Sequence, residues 1–275
     1  MAKIAILLAT YNGEKYLKQQ IESILDQTNT EWILYIRDDG STDSTINIIE
    51  EYAKKYINIV FCEDHFNHRG AMNSFIWMMT NIASEYYMFC DQDDFWLSNK
   101  IEVCFNELLK LENKNFETPV LIYTDLFIVN ESLAIIAESM WKYMRLDRVM
   151  DLKYLLIGSF VSGCTMLFNH SAKLFSLKYV NKAIMHDSLL ALAVSVSGGI
   201  VKGIPNSLIY YRQHNSNTLG ASKYNNSFIY RLKNIKFIIQ SNYQYYLFVN
   251  SIIKISLLKF FLIKIEAVLK IRKIF

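Results

Sequence analysis

Ile4-Ala5-Ile6-Leu7-Leu8-Ala9-Thr10-Tyr11-Asn12-Gly13-Glu14, followed by Leu17, Ile21, Ile24 and Leu25, decides the fold class. The apolar run has the length of a strand and breaks into small polar residues. The four apolar positions after it recur at the spacing of one helical face, which makes the segment a β-then-α unit. The pattern then repeats. Trp32–Arg37 leads through Asp38-Asp39-Gly40-Ser41-Thr42-Asp43, a turn and helix start, to Ile46, Ile49 and Ala53. Ile57–Cys62 precedes a helix over Ala71–Ala83, and Glu85–Cys90 ends at Asp91-Gln92-Asp93-Asp94 before a helix marked by Ile101, Phe105, Leu108 and Leu109. Four such units predict an α/β protein with a mostly parallel sheet covered on both faces. In folds of this kind ligands bind outside the carboxyl ends of the strands. The polar clusters Thr10–Glu14, Asp38–Asp43 and Asp91–Asp94 all fall at those ends, so three loops are expected to converge on one crevice.

The second half is more mixed. Val120–Val129, Ser162–Phe168 and Ser207–Arg212 read as strands and Ser188–Ser197 as a helix, while the uncharged window Tyr154–Ala172 reads as a buried strand with its flanks rather than a membrane span. The chain has 275 residues, 52% of them hydrophobic and 20% charged, with only 2 Pro and 9 Gly, which excludes a disordered or fibrous protein. Cys62, Cys90, Cys104 and Cys164 form no C-x-x-C pair and sit in apolar runs, as reduced buried thiols do, and the N-terminus lacks a signal-peptide pattern. Both point to the cytoplasm.

The net charge of +3 hides an asymmetry: residues 221–275 carry ten Lys/Arg against the single acid Glu266, whereas residues 1–220 carry nineteen against twenty-five. An acidic body and a basic tail suggest two tasks. The expected division is therefore 1–220, with halves 1–115 and 116–220, and a helical tail, 221–275.

Three carboxylates within Asp91–Asp94 repel one another unless a cation or donors offset them. Oxygen ligands of this type select hard Mg²⁺ or Mn²⁺; a solvated acidic turn is the plainer alternative. One carboxylate of Asp38-Asp39 can accept from the imide N–H of a uracil or thymine ring, the other capping the helix. Tyr11 can stack on that base, or simply belong to an Asn-Gly turn.

Together and in this order, Ala9–Glu14, Asp38–Asp43 and Asp91-Gln92-Asp93-Asp94-Phe95-Trp96 resemble the family 2 glycosyltransferases, inverting enzymes of the GT-A fold. Gly163–Asn169, Met185-His186-Asp187 and Tyr210-Arg212-Gln213-His214 with Asn217 resemble its bacterial rhamnosyltransferase-like subgroup. The resemblance covers residues 2–220. It implies that Thr10, Tyr11, Glu14 and Asp39 hold the nucleoside with Asp38 nearby, that Asp91 and Asp93 bind ribose, diphosphate and metal, and that Asp187 is the general base. His214 is a further metal ligand or diphosphate contact and Arg212 a phosphate contact, given its planar fork. Ser74-Phe75 stands where the subgroup often has Asn-Phe. The implied reaction moves a sugar, first rhamnose from dTDP-rhamnose, alternatively a hexose or N-acetylhexosamine from UDP, to a bacterial surface glycan or lipid-linked glycan. Two rivals stand beside it: a non-catalytic nucleotide-sugar-binding protein, and a nucleotidyltransferase, which usually shows a Gly-rich basic loop that Thr10–Glu14 lacks.

In the tail, Phe228, Leu232, Ile235 and Ile239 share one helical face with Lys233, Lys236 and Gln240 beside it. From Ile252 on, lysines fall at several angles, which argues against spanning but suits surface attachment through snorkelling stems. An anionic membrane at the inner face of the cell is the expected partner of 221–275. Packing on the body or on a second subunit, as a homodimer, is the alternative. Nucleic acid is not expected, since the body is acidic and no nucleic-acid motif is present.

Overall fold

The computed structural model describes residues 3–64, 70–112, 117–148, 151–158, 160–214 and 235–272. Strands β1 (Ile4–Thr10), β2 (Trp32–Asp38), β3 (Ile59–Phe61) and β4 (Tyr86–Asp91) pair only in parallel among themselves, in the order β3-β2-β1-β4. Helices α1 (Leu17–Leu25), α2 (Thr45–Lys55) and α3 (Gly70–Asn81) connect them, and α4 (Lys100–Glu112) follows the short β5 (Phe95–Trp96). The helices bury the predicted stripes: Leu17, Ile21 and Ile24 of α1 and Ile101, Phe105 and Leu108 of α4 are in the core. Leu109, read from its spacing as part of that stripe, is instead exposed.

The second half departs from a parallel arrangement. Strand β6 (Val120–Val129) runs antiparallel to β7 (Ile135–Ala137) and to β8 (Met166–Asn169), which in turn lies antiparallel to β4; β9 (Ile200–Arg212) is parallel to β6. All nine strands form one sheet. The strand predicted over Ser162–Phe168 is only partly one, because Gly163–Thr165 forms a 3-10 turn that delivers the chain into β8. Helices α5 (Met140–Tyr143), α6 (His170–Leu177) and α7 (His186–Val196) complete this half.

Two apolar clusters cover the two faces of the sheet, each drawing on both halves. The tail forms α8 (Ile235–Ile252) and α9 (Leu257–Arg272). Phe248, Val249, Ile255, Phe260 and Ala267 are buried there beside Tyr154, Leu155 and Leu189, so part of the tail shares the core of the body. The remaining tail positions singled out from the sequence, Phe228, Leu232 and Lys233, and with them Asn217, lie outside the described residues. No helix among the described residues is long and apolar enough to cross a membrane. Cys90, Cys104 and Cys164 are buried free thiols, and Cys62, read as buried, is only half so.

Candidate active site

Sheet register builds the site. Thr10 is level with Asp38 across β1 and β2, and Ala9 with Asp91 across β1 and β4, so the three polar clusters leave the sheet side by side at its carboxyl edge. The first two loops are stitched together residue by residue. Asn12 N donates to Ser41 Oγ (2.8 Å), Gly13 N to Thr45 Oγ1 (2.8 Å), Thr42 N to Asn12 Oδ1 (2.9 Å) and Ser44 N to Glu14 Oε2 (2.8 Å). Glu14, read as a nucleoside contact, thus caps the start of α2.

The paired aspartates divide their work. Asp38 accepts from Gly40 N (2.9 Å), Ser41 N (2.7 Å), Ser41 Oγ (2.5 Å) and Thr10 Oγ1 (2.9 Å), which uses the acceptor sites a carboxylate has. Asp38 and the buried Thr10 hydroxyl thus hold the turn together. Gly40 supports the same turn with a φ of 90°, which a side chain would disfavour. Asp39 is also buried, but differently, accepting one bond at each oxygen, from Arg37 Nη1 (2.9 Å) and Gly70 N (2.8 Å). Arg37 is itself buried, donating to Asp64 Oδ2 (3.0 Å) and Ser74 Oγ (2.7 Å) as well. Ser74, which replaces the subgroup's Asn, thus helps to seat this guanidinium. A cleft of about 420 Å³ opens beside the group, lined by Asp38, Ser41, Thr42, Phe61 and Asp64. Tyr11, at the other side of the loops, is 47% exposed.

A residue passed over in the sequence locks the third loop to the first. Gln92 Nε2 donates to Tyr11 O (3.0 Å) and its Oε1 accepts from Tyr11 N (2.9 Å), so one amide pairs with one peptide unit as a neighbouring strand would. Gly13 permits the approach: a Cβ there would overlap Gln92 Oε1. Gln92→Ala should keep its circular dichroism and thermal midpoint but weaken nucleotide binding about tenfold, roughly 1.4 kcal/mol, because the aromatic platform and the acidic loop lose their fixed spacing. Calorimetry of nucleoside diphosphate binding reads this.

The acidic loop is strongly perturbed. Burial, and then the charges of Asp93 and Asp187, push the Asp91 carboxyl up to about 7. Asp94 is fully buried, its Oδ2 has no hydrogen-bond partner, and burial with its two acidic neighbours pushes it well above the usual carboxylate range. Ligand atoms of Asp91, Asp94 and Cys164 lie within 4.8 Å of one another. This tightest grouping differs from the expected Asp91, Asp93 and His214. Burial keeps the Cys164 thiol protonated, and a soft sulfur suits Mg²⁺ or Mn²⁺ poorly. His214 Nε2 lies 2.7 Å from Asp93 Oδ2, so the carboxylates and one imidazole do converge from two distant segments. A carboxyl raised by burial and then by its neighbours' charge, an orphaned buried carboxylate oxygen and an oxygen-rich donor set together fit a hard divalent cation.

Arg212, read as a phosphate contact, is held by protein acceptors. Its guanidinium is buried and donates through Nε to Asp93 O (2.9 Å), through Nη2 to Gln19 Oε1 (2.5 Å) and through Nη1 to Glu131 O, while stacking 4.5 Å over Tyr16. A fork spent on protein acceptors fixes the backbone of the acidic loop. Lys100, which reads in the sequence as an ordinary helix-start lysine, is fully buried, donates to Cys164 O (2.9 Å) and sits over the Trp96 ring, with burial pulling it down to about 8. Nothing in its spacing distinguishes it from a solvated residue.

Asp187 opens α7 on the far side of the acidic loop. Its Oδ1 accepts from Ser188 N (2.5 Å) and Ser188 Oγ (3.2 Å), leaving the other oxygen without a protein donor among the described residues. His186 anchors that turn, buried between Phe75 (4.2 Å) and Phe89 (4.7 Å) and kept neutral by burial. A pocket of about 250 Å³ borders Asp187 and is lined also by Met140, Phe160, Val161 and Met185. The tail reaches this point: Tyr245 of α8 donates to Leu155 O (2.9 Å) and has its phenol pushed up by burial and by the Asp187 charge.

The carboxyl edge of this α/β sheet gathers a stitched loop pair, an acidic cluster and a carboxylate across from it, the arrangement of a GT-A fold. Comparison with known proteins agrees. Residues 5–173 match Glycosyl transferase family 2, and the chain belongs to that family. It is 34% identical over 122 residues to dTDP-rhamnosyl transferase RfbG of Shigella flexneri, a match covering 42% of each chain. It is 30% identical over 107 residues to the UDP-Glc:alpha-D-GlcNAc-diphosphoundecaprenol beta-1,3-glucosyltransferase WfgD of Escherichia coli, covering 39% of this chain and 41% of that one. These matches thus span less than half the length of the relatives. Among solved structures, S. aureus TarS 1–349 in complex with UDP-GlcNAc shares the fold with a TM-score of 0.56 at 19% identity, over 78% of this chain and 60% of that one.

Proposed function

We propose that the protein transfers a sugar, with inversion, from a nucleoside diphosphate donor to a bacterial surface-polysaccharide acceptor, at the cytoplasmic face of the membrane. The acidic loop that leaves β4 at the carboxyl edge beside the β1 loop, with His214 Nε2 2.7 Å from Asp93 Oδ2, carries this reading. Rhamnose from dTDP-rhamnose is the first donor, supported by the 34% identity to a dTDP-rhamnosyl transferase; UDP-linked hexoses follow, supported by the likeness to a UDP-Glc-dependent relative.

In this reading Tyr11 stacks on the base and Asp39, held in place by Arg37 and Gly70 N, accepts its imide N–H. Asp91 and Asp93, with His214, hold Mg²⁺ or Mn²⁺. Such an ion, when bound, stabilises negative charge developing on the departing diphosphate. Asp187 faces the pocket where the acceptor hydroxyl enters and removes its proton through the oxygen that has no protein donor. One base and one displacement invert the anomeric centre, whereas retention needs a carboxylate nucleophile against that carbon. Glu131, Gln19 and Tyr16 seat Arg212, which keeps the acidic loop in register, and Tyr16 also packs against His214.

Incubating the protein with dTDP-rhamnose, UDP-glucose and UDP-N-acetylglucosamine, with Mn²⁺ and extracted surface-glycan acceptors, should release nucleoside diphosphate from dTDP-rhamnose fastest. Donor binding without release under every acceptor would support a non-catalytic nucleotide-sugar-binding protein instead, and release of pyrophosphate a nucleotidyltransferase.

A further inference from the structure

Helix α9 was expected to spread its lysines around its circumference, but the structure separates two apolar faces on it. One, Phe260 and Ala267, is buried against the body, where α9 packs on the 146–148 and 152–156 turns. The other, Leu257, Leu258, Phe261, Leu262, Ile265, Val268 and Leu269, is exposed. These positions recur at the spacing of one helical face and form an unbroken stripe about 18 Å long at 1.5 Å per residue. Leu258 is 71% and Ile265 55% exposed. Contiguous exposed apolar patches of this kind on soluble proteins mark an interaction surface.

Charge selects the partner. Lys259 and Lys270 adjoin the stripe at its two ends in sequence, next to Leu258 and Leu269, and Lys254 precedes the helix; all three are exposed. The only acid of the tail, Glu266, is half-exposed and neutralised by cations, accepting from Lys153 Nζ (2.7 Å) and Tyr154 Oη (2.8 Å) with Lys270 Nζ 3.9 Å away, so that Lys254 and Lys259 are the cations it leaves unpaired. Lys264 is drawn inward, onto Asn242 Oδ1 of α8. The outer face thus combines leucines with cations and no free carboxylate. A second copy of this chain would place those cations against one another, whereas an anionic bilayer offers hydrocarbon to the stripe and phosphates to the lysines. The helix is too charged and short to cross it.

We infer that the exposed stripe of α9, flanked by Lys254, Lys259 and Lys270, seats the protein in the plane of an anionic phospholipid surface. This deepens the peripheral position in the functional proposal by naming the face that makes contact. The 146–148 turn beneath α9 supplies Leu146 to the pocket beside Asp187, so seating holds that pocket close to the lipid surface.

The full chain should float with vesicles of phosphatidylcholine and phosphatidylglycerol, and about tenfold less with phosphatidylcholine alone. Flotation should fall as salt rises. The triple variant Leu258→Gln, Ile265→Gln, Leu269→Gln should lose flotation at least about tenfold while keeping its thermal midpoint and its nucleoside diphosphate binding. Lys259→Gln with Lys270→Gln should lose chiefly the preference for the anionic lipid. Retained nucleotide binding keeps a failure here distinct from a failure of the sugar-transfer reading. Wild-type protein that stays with the soluble fraction, a triple variant that floats undiminished, or a wild-type dimer that the triple variant converts to monomer would each overturn the proposal, the last in favour of a second copy.

Discussion

Asp187→Asn should fold with an unchanged thermal midpoint, bind donor as tightly as the parent, and lose roughly 10²–10⁴ in turnover, the range for removal of a general base. The substitution keeps the shape of the side chain and an acceptor oxygen for Ser188 N and Oγ. It removes the basic oxygen that faces the 250 Å³ pocket. Loss of turnover with donor affinity intact is the sign of an interaction made in the transition state, whereas a residue that only caps α7 would show its loss in stability. Tyr245→Phe offers a graded comparison from the tail: the donor to Leu155 O goes, while Asp187 itself stays.

The second large effect concerns the acidic loop. Burial and the charges of Asp93 and Asp187 raise Asp91 to about 7, far above its ordinary value. The sign follows from linkage: a carboxyl raised in the folded state favours folding while protonated, and this contribution is lost as pH climbs through the folded value, about 7. A divalent cation competes with that proton and offsets the repulsion. Mn²⁺ should therefore raise the thermal midpoint little at low pH and progressively more as pH passes 7, and Asp91→Asn should flatten this dependence.

Much of this architecture was legible beforehand because it rests on local pattern. The alternation of apolar runs with helical stripes gave the parallel order of β1 to β4, and the polar breaks after Ala9, Arg37 and Cys90 marked the carboxyl edge where the loops gather. The antiparallel half was not legible, since β8 is short, follows a 3-10 turn and is paired by distant partners on both sides. The site was read by residue type, which identifies chemistry but not direction. Nothing local told Asp38 from Asp39; only the register with Thr10 shows that one carboxylate closes a turn while the other meets Arg37. Arg212 looked like a phosphate fork because its acceptors, Gln19, Asp93 and Glu131, lie far away in sequence. Gln92 was overlooked because a glutamine between aspartates has no distinctive chemistry until its partner is known. The tail misled through averaging: lysines that look scattered along a helical wheel separate once Lys264 is seen to bond with α8.

The central claim is that loops from β1, β2, β4 and the end of β9 assemble one cation-dependent nucleotide site. Calorimetric titration of dTDP and UDP into the full chain, with Mn²⁺ and then with chelator, tests it most directly. The expected result is binding that requires the metal and falls at least about tenfold in Asp93→Asn. Equal affinity with and without metal, in parent and variant alike, would contradict it.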